Sequence, residues 1–193
     1  LAKCGLPLEH TAQIILLEEV VYEGKIVCVN DLWKEGKLRR SFVPAIIVRL
    51  HGVPFRIRDL SAMTVAEKEI AIDMACARLQ TTRATYFDAV TRRVATTIAQ
   101  VHNFGVHHRS PHCGNIALDG MLMDSDGIEG KELDGTDPTL ERMRAATEIA
   151  ENSMLILAEA IGIAPSKYDI IRRTFRDYYN VEVRNPALSG KDT

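Results

Sequence analysis

The sequence lacks a long hydrophobic run and an excess of one charge, the features that most directly mark membrane proteins and nucleic-acid-binding proteins. No apolar stretch approaches the roughly 18 to 20 residues that a membrane-spanning helix needs. The 24 basic and 26 acidic residues nearly cancel, at a formal net charge of −2, whereas a nucleic-acid-binding domain usually carries a strongly basic face. We therefore expect neither a membrane nor a nucleic acid as a partner.

Cysteine is sparse and forms no close pairs. Cys4, Cys28, Cys76 and Cys113 lie far apart, and no CxxC occurs. An extracellular disulfide framework needs a denser pattern, so we expect reduced thiols and a cytoplasmic protein. A structural zinc site usually takes its four ligands as two spaced pairs. The histidine-rich segment 102–113 has no second pair to complete such a site, which argues against zinc.

The common glycine-rich phosphate loops are also missing, because neither GxGxxG nor GxxxxGK[ST] occurs in the chain. Any nucleotide site must therefore be built in another way. The chain has 193 residues, of which 46% are hydrophobic and 26% charged. This composition is typical of a globular protein with one large domain or two small ones.

The first sixty residues carry the β-strand signals. Residues 13–29 place β-branched runs on both sides of a Glu-Gly turn and predict a hairpin. Residues 30–41 are polar and basic, which is typical of a turn region. Residues 45–50 predict a further strand. We expect these strands to form a small antiparallel sheet.

After the strands the apolar spacing becomes helical. Thr64 and Glu67 form a capping-box signature at the start of a helix. A second helix spaces its apolar residues by three and four and ends near Asn103. Pro138 indicates the start of a third helix, which Gly162 ends, and a last helix follows it.

Strands followed by helices are typical of an α+β fold rather than of alternating βαβ units. We predict a small antiparallel β lobe over residues 1–60 and a mainly helical lobe over residues 61–193. A polar loop at 105–127 interrupts the helical lobe.

This polar loop carries the side chains with the most evident chemistry. A short hairpin is expected to turn at Asp119-Gly120, with Asn115 before its first strand and Asp124 after its second. Folding of the hairpin brings an amide oxygen and a carboxylate together, and such oxygen ligands suit Mg²⁺ with bound phosphates. A calcium loop that starts at Asp124 is excluded, because its twelfth position, which needs an acidic ligand, is Gly135.

The stretch 95–127 resembles the catalytic region of the selenoprotein O family, kinase-fold proteins that transfer AMP to protein hydroxyls. In that family a histidine precedes a metal-binding Asn by seven residues, and a metal-binding Asp follows nine residues later. His108, Asn115 and Asp124 keep both spacings. The segment from His108 to Asn115 also looks like that of aminoglycoside phosphotransferases. The resemblance implies a protein-kinase-like fold with ATP and Mg²⁺ as cofactors, the metal on Asn115 and Asp124, and the loop oriented by His108.

A second stretch, residues 45–60, resembles the family segment in which two arginines contact the nucleotide phosphates. Arg49 and Arg56 have the seven-residue spacing of those arginines. Taken alone, both would be interpreted as exposed residues on a strand. The resemblance implies that they bind the nucleotide and that the partner receiving AMP or phosphate is a protein.

The departures from the family concern catalysis. The Asp that serves as general base directly before the metal-binding Asn is Gly114 here, and the corresponding phosphotransferase position falls on Ser110. His112 is the side chain that could replace the missing base. The alternative is a catalytically inactive pseudokinase that serves as a binding module. The family's glycine-rich strand and nucleotide lysine have no counterpart before Leu1, so we expect either a piece of a longer protein or the loss of half of a nucleotide site.

Overall fold

A computed structural model describes residues 10–50, 52–124, 127–130 and 139–184, with the backbone alone for the first four residues and the last four of the first range. The chain divides into two compact units. The first is His10–Leu50, and the second contains the described residues from Gly52 onward. The division into two lobes at residue 60 stays a prediction.

The first unit consists of two separate two-stranded antiparallel sheets and one short helix. β1 (His10–Leu16) pairs with β4 (Ala45–Leu50), β2 (Glu19–Tyr22) pairs with β3 (Lys25–Cys28), and α1 (Val29–Lys34) follows β3. β1 and β4 are the first and last elements of this unit, and β2, β3 and α1 lie between them in the sequence.

The hairpin predicted over residues 13–29 is confirmed only in its second part. β2 and β3 form it, and Gly24 in its turn has a φ of 77°. Residues 13–16 belong to β1 and pair with β4, so the prediction of one hairpin from residue 13 was wrong. Leu17 N–H still donates to Pro44 O at 3.0 Å, beside the last β1–β4 pair, and β2 begins only at Glu19.

The polar stretch 30–41, predicted as a turn region, contains most of α1. The helix buries Val29 and Leu32 on one side, three residues apart. With six residues it is too short for a periodic pattern to stand out from its polar neighbours. The prediction of an irregular segment was therefore wrong over this turn and a half of helix.

The second unit is mainly helical. Its helices are α2 (Val65–Leu79), α3 (Arg83–Asn103), α4 (Leu140–Ala160) and α5 (Tyr168–Glu182), its strands are β5 (Val106–His108) and β6 (Ile128–Gly130), and its 3₁₀ helices are Ile57–Ala62 and Pro165–Lys167. α3 is central and packs against α2, α4, α5 and β5. The predicted apolar stripe of α3 lies in the core, where these residues are buried: Tyr86, Val90, Val94, Ile98 and Val101.

Three of the four helix boundaries predicted from the sequence are confirmed. The capping box of α2 is confirmed, because Thr64 N–H donates to Glu67 Oε2 at 2.8 Å and Glu67 N–H donates to Thr64 Oγ1 at 3.3 Å. The ends at Asn103 and before Gly162 are also found. Pro138 lies outside the described residues, and α4 instead takes Thr139 as its N-cap.

The described residues thus form a mixed fold of helices and small antiparallel sheets, which confirms the α+β class. Among the helices of the described ranges, none combines the length and the apolar character needed to cross a lipid bilayer.

Candidate functional site

The hairpin predicted around Asp119-Gly120 is confirmed, and we call residues 115–123 the loop hairpin. Ile116 and Leu122 form an antiparallel bridge, and Ala117 N–H donates to Met121 O at 2.9 Å. Gly120 has a φ of 78°, in the left-handed region that favours glycine, so the tight turn explains this residue.

The base of the loop hairpin brings Asn115 next to the residue that precedes Asp124. Met123 N–H donates to Asn115 O at 2.8 Å, which closes the hairpin at this point. Asp124 follows directly, with a left-handed φ of 61°, and its carbonyl accepts the Gly127 N–H at 2.8 Å. The two residues predicted to hold a metal are therefore neighbours at one end of the hairpin backbone.

Residues 55–58, which we call the brace segment, run along the loop hairpin and enter the 3₁₀ helix at Ile57. Leu118 N–H donates to Phe55 O at 2.9 Å, and Ile57 N–H donates to Ile116 O at 3.0 Å. An antiparallel bridge joins Arg56 to Ala117. Phe55 and Arg56 thus lie beside the loop hairpin like a short third strand, and the hydrogen bonds of the brace segment fix the position of the hairpin.

His108 lies at the end of β5 and is buried at 1% exposure. Its Nε2 lies 2.9 Å from Met123 O, and its Nδ1 lies 3.1 Å from the backbone N of Ser110. A carbonyl can only accept, so the proton is on Nε2, and Nδ1 accepts from Ser110. Burial lowers the pKa of His108, while the hydrogen bond to Met123 and the nearby Asp124 oppose this shift. The ring is therefore neutral and ties both ends of the loop together.

Asn115 is oriented by the same loop. Its Nδ2 donates to Ser110 O at 3.0 Å, and its side chain is largely buried. This leaves the amide oxygen Oδ1 as the group that could coordinate a cation. In the described part of the chain, no group of three or more His, Cys, Asp or Glu side chains is placed to hold a metal ion. A cation here would rely on Asn115, Asp124, water and ligand oxygens.

Of the two arginines predicted to bind phosphate, the structure describes the side chain of Arg56 and only the backbone of Arg49. Arg49 lies in β4, and its side chain is outside the described part. Arg56 is half-buried in the brace segment, and its Nη1 donates to Gly114 O at 2.9 Å. An arginine side chain has further N–H donors, so Arg56 can hold the loop and still contact a ligand.

Arg58 is a cationic side chain at this loop that the sequence reasoning missed. Its backbone N–H donates to Cys113 O at 3.1 Å, and its side chain is 57% exposed. A Cβ atom built on Gly114 would lie 3.0 Å from Arg58 Nη1, so the guanidinium lies against the loop. A second arginine two residues after Arg56 was the signal that could have indicated it.

The space beside Gly114, where the family resemblance predicts a general base, is occupied by neighbouring side chains. A Cβ atom at Gly114 would lie 2.8 Å from Cε1 of His112. The backbone N–H of Gly114 donates to Nδ1 of His112 at 2.9 Å. In a neutral imidazole the proton is then on Nε2, which leaves no free lone pair to accept a proton. Glycine at 114 therefore fits this arrangement, and His112 is poorly placed to serve as a base.

Asp119, at the turn of the loop hairpin, is fully buried. Its Oδ1 accepts the Met121 N–H at 3.3 Å, whereas Oδ2 has no hydrogen-bond partner among the described residues. Gly52 packs directly against Oδ2, so closely that a Cβ atom there would overlap it. Burial lowers the pKa of Arg93, and the charge of Asp119 opposes that shift. The burial of this carboxylate was not predicted, because Asp-Gly is typical of an exposed turn.

Comparison with protein-family models, with curated proteins and with solved structures returns no match.

Proposed function

We propose that the base of the loop hairpin binds Mg²⁺ and the phosphates of a nucleotide, in a protein-kinase-like fold related to the protein adenylyltransferases. One observation supports this most strongly: the hydrogen bonds of Met123 join His108 and Asn115 in one corner, and Asp124 follows directly. A neutral, fully hydrogen-bonded His108 suits the orienting role that the family resemblance implies.

The chemistry of the donors fits the proposed ligand. Mg²⁺ takes oxygen ligands, usually one or two from protein side chains, and keeps several waters. Asn115 Oδ1 and the Asp124 carboxylate would supply them. Arg56 and Arg58, on the brace segment, supply N–H donors for phosphate oxygens. Arg49 remains a predicted phosphate ligand.

A second candidate function is nucleotide binding without transfer, as in a pseudokinase that serves as a binding module. The contact between Gly114 N–H and His112 Nδ1 favours it, because it occupies the lone pair that a substitute base would need. A positioned base typically contributes a hundredfold or more to such a reaction. If transfer to a protein hydroxyl occurs, metal and phosphate positioning must therefore supply most of its rate.

Replacing Asp124 by alanine should weaken Mg²⁺-dependent ATP binding by about tenfold or more, because an Asn amide alone is a poor magnesium site. Titration calorimetry with ATP, in Mg²⁺ and in EDTA, measures the loss. Asp169→Ala is the control, since it removes an exposed carboxylate in the first turn of α5. Equal affinity for ATP–Mg²⁺ in Asp124→Ala and in the parent protein would overturn the metal assignment.

Restoring a carboxylate at position 114 tests catalysis. Gly114→Asp alone would collide with the His112 ring, so the variant should be made together with His112→Ala. We expect the double variant to label itself from ATP about tenfold or more faster than the parent protein, because a general base is restored. Label at the α-phosphate reports AMP transfer, and label at the γ-phosphate reports phosphate transfer.

Adding Asp124→Ala to this double variant should remove the gain. If the double variant binds ATP–Mg²⁺ and yet incorporates no label, transfer is rejected and the binding module is the better description.

A further inference from the structure

The first unit contains an open cleft of about 320 Å³, beside α1 and the chain that follows it. Asn30, Trp33, Lys34 and Arg40 line the cleft. Its volume is at the lower end of the range of about 300 to 1,000 Å³ that small-molecule sites occupy. A ligand with one or two rings would therefore fit.

Trp33 supplies the aromatic wall of the cleft. Its indole N–H donates to Phe42 O at 3.2 Å, which fixes one edge of the ring against the chain that leaves the cleft. The side chain is half-buried rather than covered. A flat ring can stack on such a fixed aromatic surface, as nucleic-acid bases stack on aromatic side chains.

Two cations lie beside this wall. Arg40 is exposed and forms no ion pair with a described residue. Lys34 pairs with Asp31 at 3.3 Å, but both side chains are more than half exposed, so the pair is weak and can be exchanged for a ligand anion. No acidic side chain lines the cleft. The charge therefore favours an anion and offers no carboxylate to hold Mg²⁺.

We propose that this cleft binds a small ligand that joins a flat ring to a phosphate group, such as a mononucleotide. The ring stacks on Trp33, the phosphate accepts hydrogen bonds from Arg40 and Lys34, and the Asn30 amide can bond the edge of the ring. This site is distinct from the loop hairpin, does not rest on the function proposed for it, and needs no divalent cation.

Tryptophan fluorescence tests the proposal directly, because Trp33 is the only tryptophan of the chain. The full chain in EDTA is titrated with AMP, with adenosine and with inorganic phosphate. AMP should quench the emission saturably, and adenosine and phosphate should each bind about tenfold or more weakly, since each lacks one of the two interactions. Absence of saturable quenching by AMP, or equal affinity for adenosine, would overturn the proposal.

Two neighbouring arginines provide a matched pair of variants. Arg40→Ala should weaken AMP binding about tenfold or more, because it removes a charge-assisted hydrogen bond. Arg39→Ala removes the same charge from an exposed residue that does not line the cleft, and should change the affinity less than about twofold. Equal losses in the two variants would show that AMP responds only to the overall charge, and would reject the cleft.

Discussion

Gly52→Ala should lower the free energy of unfolding by about 3 kcal/mol, the upper part of the range for overpacked positions. The new methyl group would overlap Oδ2 of Asp119 and lie 3.2 Å from Nε of Arg78. Asp119 is fully buried, and its other carboxylate oxygen is held by the Met121 N–H. The carboxylate therefore cannot swing away without breaking the turn of the loop hairpin. Urea unfolding of the variant and the parent protein measures the difference.

A double variant shows whether this contact is the cause. The φ of Gly52 is outside the left-handed region, so alanine meets no backbone obstacle there. Asp119→Ala removes the obstructing carboxylate. In Gly52→Ala/Asp119→Ala the two losses should therefore be less than additive, with a coupling of about 1 kcal/mol or more. Strictly additive losses would show that Gly52 is required for some other reason.

Acidification should destabilise the protein through His102, by about 2 kcal/mol between pH 6.5 and pH 4.5. Burial, with a smaller contribution from His107, lowers the pKa of His102 from 6.5 to about 3. The ring Nδ1 lies 2.8 Å from the hydroxyl of Tyr179. Burial raises the pKa of Tyr179, so this hydroxyl stays protonated and donates a hydrogen bond to Nδ1.

The direction in which stability changes with pH follows from the lowered pKa of His102. Above pH 6.5 the folded and unfolded states both hold a neutral His102, and its contribution to stability is fully present. Below pH 6.5 the unfolded chain binds a proton that the folded state refuses until about pH 3, so stability falls as the pH falls. His108 is also buried with a lowered pKa and acts in the same direction.

His102→Gln isolates this contribution, because glutamine can accept the Tyr179 hydroxyl but does not titrate. Urea unfolding at several pH values should show a shallower loss of stability below pH 6.5 in His102→Gln than in the parent protein. His112→Gln, which replaces an exposed histidine, is the comparison and should keep the parent's loss. Parallel pH profiles for His102→Gln and the parent protein would contradict the assignment.

The sequence predicted the elements that depend on neighbouring residues. The apolar stripe of α3, the capping box at Thr64 and the turn at Gly120 are all determined by contacts a few residues apart, and each is confirmed. The pairing of β1 with β4 was not predicted, because it joins residues 29 to 40 positions apart and the sequence carries no signal of their register. Residues 55–58 were predicted as part of the small sheet, but their pairing with the loop hairpin was not predicted, for the same reason.

In the candidate site, too, the spacing of neighbouring residues was predicted and the contacts made by folding were not. The spacing of His108, Asn115 and Asp124 could be recognised in the sequence because all three lie within one short stretch of the chain. The tautomer of His108 and the contact of His112 with Gly114 depend on the folded loop. The hydrogen bond of Arg56 to Gly114 O crosses 58 positions of sequence. It changes the interpretation of Arg56 from a purely exposed phosphate ligand to a residue that also holds the loop.

The ladder of β1 and β4 has a consequence for how the chain can be rearranged. His10 and Leu50 are antiparallel partners, so the first unit begins and ends at adjacent points. Residues opposite each other in such a ladder have Cα atoms about 4.5–5.5 Å apart. The two ends of the unit are therefore close enough for a linker of a few residues to join them. The unit could then be circularly permuted, with new termini in the turn at Gly24.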